Sequence, residues 1–147
     1  MPQHWIFRVG DGTNFYGSRK HLIWGIKTVS SDGKCFITRA EPGDIIWFLT
    51  NHKAGKKLIA VATFVKNHKR ETGPLISFTK TNEELGWSEG TWDTEVHYSD
   101  LYMIEDLEMT LTVALMMTVF RTTTIKSDID FETEYEHIVK YSKVKRI

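Results

Sequence analysis

The chain has 147 residues, balances 19 Lys and Arg against 19 Asp and Glu, and is 41% hydrophobic and 26% charged. That length suits one domain with a core of its own, and the composition excludes wholesale disorder. Zero net charge argues against a non-specific nucleic-acid binder, which is usually basic overall, and no apolar run is long enough for a membrane-spanning helix.

The opening MPQHWIFRV runs into an apolar segment without a basic leader, so an intracellular, cytoplasmic protein is expected. Residues 5–9 read as a first strand, closed by Gly10-Asp11-Gly12. No glycine-lysine pattern follows, so GDG reads as a plain turn rather than a phosphate loop. Residues 14–20 read as a short helix capped by Thr13 or Asn14, leading into HLIWG. Cys35 is the only cysteine, which rules out an intrachain disulfide and fits a reducing compartment. The six histidines show no metal-ligand spacing, and no metal or other cofactor is expected.

Residues 41–44, EPGD, predict a sharp turn into IIWFLT, a strand apolar on both faces. KKLIAVATFVK, residues 56–66, is a second such strand, and its Ala60 and Ala62 mark a face with little room. The basic segment NHKAGKK joins the two as an antiparallel hairpin. Strands buried on both sides, with small residues on one, suit a small closed barrel with helices outside. Trp5 and Trp47 lie in these apolar strands and read as core.

ELGWSEGTWD, residues 84–93, sets Trp87 and Trp92 among turn formers and acids, where large rings need a reason other than a strand's core face. Residues 95–105 read as a further strand, and 111–120 fit either a strand or a buried helix. Residues 131–147 read as a terminal helix with Phe131, Tyr135, Ile138 and Val139 on one stripe. There is no internal repeat, so the expectation is one α+β domain over residues 1–147, acting as a monomer. Charge is segregated along it: residues 45–70 hold six Lys or Arg and no acid, whereas 83–108 hold nine acids and no Lys or Arg.

The run HWIF, then NFYGSRKHLIWGIK, then AEPGDIIWFLT resembles EVE domains of the PUA-like superfamily, and WSEGTW matches the W-S-x-x-x-W loop of the related YTH domains. The resemblance covers roughly residues 4–66 and 85–105. It implies a PUA-like barrel of five to six strands with flanking helices, and a non-enzymatic reader that holds one modified base in an aromatic cage. On the matching positions, Trp24, Trp87 and Trp92 would be cage walls, and Asn14 would contact the base edge. Gly25 would leave a backbone carbonyl approachable.

Such a role suits the residue types. A methylated base is a flat, mostly apolar plate with a few polar edge atoms, so stacking on its faces and a few hydrogen bonds suffice to hold it. Asn14 offers both a donor and an acceptor. Lys53, Lys56, Lys57, Lys66, Lys69 and Arg70 would contact phosphates. Competing readings are a core Trp24, a purely capping Asn14, loop-anchoring tryptophans and an ordinary solvated hairpin. Glu83, Glu84, Glu89 and Asp93 depart from the basic surroundings of the YTH loop, which makes a modified base in DNA as plausible a ligand as one in RNA; N6-methyladenine, the base of the YTH domains, and 5-methylcytosine are the candidates to compare. An associated nuclease or another effector would act beside such a reader. Two other functions compete: an ASCH-like nucleoside amidohydrolase built on Ser18 or Lys20 near a Glu, and a protein-interaction module whose exposed tryptophans are hot spots.

Overall fold

The computed structural model describes residues 3–27, 31–50, 58–69, 83–84, 86, 92–104, 122–123, 136 and 145–146. They form β1 (His4–Arg8), α1 (Thr13–Ser18) continued by a 3₁₀ turn (Arg19–His21), β2 (Ile23–Ile26), α2 (Ser31–Arg39), β3 (Ile45–Leu49), β4 (Leu58–Lys69), β5 (Thr94–Met103), β6 (Thr122–Thr123) and β7 (Lys145–Arg146). The strands share one mixed sheet in the order β2-β5-β4-β3-β1-β6, with β7 also on β5. β1 and β3 run parallel, and the other pairings among the described residues are antiparallel. β3 and β4 are thus adjacent antiparallel strands, as the two apolar runs predict. Register breaks at Phe48/Leu49, Val61/Thr63 and Phe64/Lys66 bend the long strands, and the sheet curls into a half-barrel in an α+β fold.

The concave face explains the alanines. Trp5 pairs with Ile46 and Ile46 with Ala62, while Phe7 pairs with Phe48 and Phe48 with Ala60. These residues share one buried cluster with Phe64, Val96, Tyr98 and Trp24. Where β4 contributes only methyl groups, the helices supply rings. Phe15 of α1 lies 4.5 Å from Phe48, and Phe36 of α2 lies 4.9 Å from both Trp5 and Phe7 and 5.1 Å from Phe64. All five residues of β3 are buried, so both of its faces are covered. On the second face the Trp47 Nε1–H donates to His4 Nδ1 at 3.0 Å, which satisfies two fully buried polar atoms.

The EPGD turn is a clamp. Gly43 takes φ +98°, and the Asp44 N–H closes the turn on the Glu41 carbonyl at 3.0 Å. The buried Asp44 carboxylate then accepts from the Gln3 N–H, the Gln3 side-chain amide, the Trp5 indole N–H and the Glu41 N–H, all within 2.9–3.0 Å. This ties the start of β1 to the start of β3.

Two local expectations need correction, and one helix was not foreseen. The cap of α1 is neither Thr13 nor Asn14 but Gly12, at φ +94°, with Thr13 already helical. Nothing in SDGKCFITR announces α2, whose Gly33 and β-branched Ile37 and Thr38 are poor helix formers; the burial of Phe36 holds it in place. The terminal helix does not reach the chain end: residue 136 is helical, but Lys145–Arg146 pair with Tyr102–Met103. β2 spans only residues 94–97 of β5, so backbone groups at 102–103 need another partner, and β7 provides it. The hairpin 51–57, residues 111–120 and most of 131–147 lie outside the described residues.

Candidate functional site

β1 ends at Arg8, and the Val9 N–H still bonds the Leu49 carbonyl at 2.9 Å, so the strand is held to its last residue. The chain then turns sharply: Gly10 and Gly12 have φ of +59° and +94°, and the Gly12 N–H returns to the Val9 carbonyl at 2.9 Å. A Cβ at position 12 would also sit 3.1 Å from the Tyr16 ring, which would have to give way. Between the glycines, Asp11 Oδ1 accepts the Thr13 N–H at 2.9 Å and fixes the start of α1. The Thr13 backbone N–H, and then its hydroxyl, hold the Asp11 carboxyl below the usual carboxylate range.

This turn rims a cavity of about 480 Å³ lined by Arg8, Val9, Gly10, Asp11, Thr13, Asn14, Trp24 and Trp92. Its walls come from well-separated strands of the sheet, β1 and β2, with α1 between them in the chain and Trp92 just before β5. Curling of the sheet is what brings them together. The Trp24 ring packs 6.3 Å from Phe15 at 60° and is 7% exposed, while Trp92 is half-buried against the same core. Asn14 is half-buried in the first turn of α1. The cavity thus has indole walls, one amide, one cation and one carboxylate held ionised.

Of the residues singled out from sequence, Asn14, Trp24 and Trp92 meet in this cavity, and Trp87 lies outside the described residues. Gly25 is buried next to Trp24 but pairs with Glu95 and does not line the cavity. Lys66 and Lys69 are exposed on β4, and Lys69 pairs with Thr94, two residues from Trp92. Lys53, Lys56, Lys57 and Arg70 lie outside the described residues. Ser18 is fully buried and Lys20 exposed, and neither lines the cavity. Sequence reasoning missed Arg8 and Asp11. The available signal was adjacency: the GDG turn sits directly between the first strand and the helix bearing Asn14.

A second polar cluster lies on β4 and β5. The buried Glu95 holds His97 Nε2 at 3.0 Å, and the His68 ring stands edge-on to His97 at 6.3 Å. Among the described residues no group of three or more His, Cys, Asp or Glu is arranged to hold a metal ion, and no helix is long and apolar enough to cross a membrane. Compared with known families and with curated proteins, the chain finds no match.

Proposed function

We propose that this chain is a PUA-like domain of the EVE and YTH kind, and a non-catalytic reader that takes one modified, methylated base of RNA or DNA into the cavity between Trp24 and Trp92. The observation that carries the reading is the convergence of Asn14, Trp24 and Trp92 on one cavity of about 480 Å³, a size within the usual range for small-ligand sites. Trp24 and Trp92 offer stacking surface, and the Asn14 amide reads a ring nitrogen or an exocyclic group. Arg8 at the same cavity suits the neighbouring phosphate, with exposed Lys66 and Lys69 as further contacts along the strand. Trp87 would complete the cage. The full burial of Ser18 gives an amidohydrolase nucleophile no access to this cavity, which favours a reader over that enzyme.

The test is a titration of the protein with oligonucleotides carrying N6-methyladenine, 5-methylcytosine, 5-hydroxymethylcytosine or their parent bases, in RNA and in DNA, followed by tryptophan fluorescence. A reader prefers one modified base by tenfold or more, and Trp92→Ala removes about 1–3 kcal/mol of that binding. Absence of any preference refutes the reading and turns attention to a protein ligand.

A further inference from the structure

Asp11 is an unusual neighbour for a site that is to receive a strand of phosphates. Its Oδ1 is pinned by the Thr13 N–H at 2.9 Å, between two glycines in left-handed backbone, so its charge stays where the turn puts it. Arg8 is the other charged residue lining the cavity, and among the described residues the two make no ion pair with each other. Arg8 is exposed on a long side chain that can swing toward a phosphate, whereas Asp11 is short and its Oδ1 is engaged by the Thr13 N–H at the rim. The charge that the turn places at the rim is therefore negative, and it lines the same cavity as two indoles. Aromatic faces together with a carboxylate favour a cation, because the ring quadrupole and the acid both act on positive charge.

We propose that the cavity selects a base that carries a positive charge, a ring-N-methylated purine or pyrimidine, over its neutral isomer, with Asp11 as the specificity-determining residue. The inference rests on the reading of the cavity as a base site. In a strand such a nucleotide is zwitterionic, with the cationic base facing Asp11 and its phosphate facing Arg8.

The experiment compares two isomers, 1-methyladenosine, a cation at neutral pH, and N6-methyladenosine, which is neutral, by tryptophan fluorescence at pH 7 with wild type and Asp11→Asn. The variant retains a side-chain oxygen for the Thr13 N–H, so it removes charge while keeping the turn. Wild type is expected to bind the cation about tenfold tighter, a preference that shrinks as salt is added. Asp11→Asn is expected to reduce the preference to about threefold or less while the neutral isomer binds as before. Tighter or equal binding of N6-methyladenosine overturns the charge selection and leaves the base site standing, as does a preference for the cation that survives Asp11→Asn. If neither isomer binds, while folding is intact by thermal melting, the charge selection falls, and the base site stands or falls with the titration of modified oligonucleotides.

Discussion

Replacing Asp44 removes the acceptor at the centre of the clamp between β1 and β3. Four donors converge on its carboxylate, which is 3% exposed: the Gln3 N–H on Oδ1, and the Gln3 amide, Trp5 Nε1–H and Glu41 N–H on Oδ2. Hydrogen bonds to a charged group contribute about 1.5–3 kcal/mol each, but four such terms do not add here, because the Gln3 and Glu41 groups are only partly buried and regain water when the carboxylate goes. The Trp5 indole N–H is buried and does not. Asp44→Ala is therefore expected to destabilise by roughly 3–5 kcal/mol, in the range for stripping one partner from a buried charged network. Asp44→Asn can still turn its oxygen toward the three donors, leaving its NH₂ against the Gln3 N–H, and should cost roughly 1.5–3 kcal/mol. Trp5→Phe removes the indole donor but also shrinks a fully buried ring, so Asp44→Asn is the cleaner probe of the carboxylate. Urea unfolding followed by circular dichroism reads the two Asp44 variants, with the midpoint falling less for Asp44→Asn than for Asp44→Ala and the slope unchanged. An Asp44→Asn variant within about 0.5 kcal/mol of wild type, or an Asp44→Ala loss below about 1 kcal/mol, would refute the argument that this carboxylate holds β1 in register.

The cavity residues give further expectations. Trp24→Ala should lose about 3–5 kcal/mol of stability, because the ring belongs to the core cluster, and a thermal melt will show it; binding is therefore better tested with Trp24→Phe, which should stay folded and weaken the modified oligonucleotide severalfold. Asn14→Ala should relax which base is accepted while some affinity for flat ligands survives, since it removes an edge contact rather than a stacking surface; equal losses across all bases in fluorescence titrations would assign Asn14 to folding instead. Asp11 has a folded-state pKa below its unfolded value, so its contribution to the turn is present above the unfolded value of about 3.9 and is lost as pH falls through the lower folded value. A carboxyl NMR titration of Asp11, read together with the Thr13 amide shift, should place the midpoint below the ordinary aspartate range. A midpoint at or above that range would remove the hydrogen-bond argument.

Much of the sheet was legible because its signals are local. IIWFL has no polar position to expose, so it had to be covered on both faces, and Ala60 and Ala62 two residues apart had to face something bulky. That the bulk is Phe15 and Phe36 was not legible, since which ring enters which gap depends on how far the sheet curls. The sheet's curl follows in turn from bulges at Phe48/Leu49 and along β4, positions with no glycine to mark them. α2 was missed for a related reason: its residues prefer other conformations, and the burial that stabilises it comes from rings on β1 and β4 that are distant in sequence. The same holds for residues 131–147, which read as one helix to the last residue although the apolar stripe ends at Val139. There β5 offers unpaired backbone at Tyr102–Met103, and Lys145–Arg146 take it.

For the candidate site, sequence reasoning treated two readings of Trp24 as rivals, a wall of the cavity or a member of the core. The structure makes it both: 7% exposed, packed on Phe15, and lining the cavity. The two roles support each other physically. An indole gripped by core neighbours cannot turn away to fill an empty cavity, so in the proposed reader its position is set before a ligand arrives, at little cost in side-chain entropy. Trp92 is half-buried and less constrained, which suits the wall that adjusts to what enters. One wall set in the core and one nearer the surface predict an asymmetry that a symmetric cage would lack. Truncating Trp92 should chiefly speed dissociation of the ligand, which stopped-flow fluorescence reads directly, whereas truncating Trp24 should chiefly lower the melting temperature of the free protein.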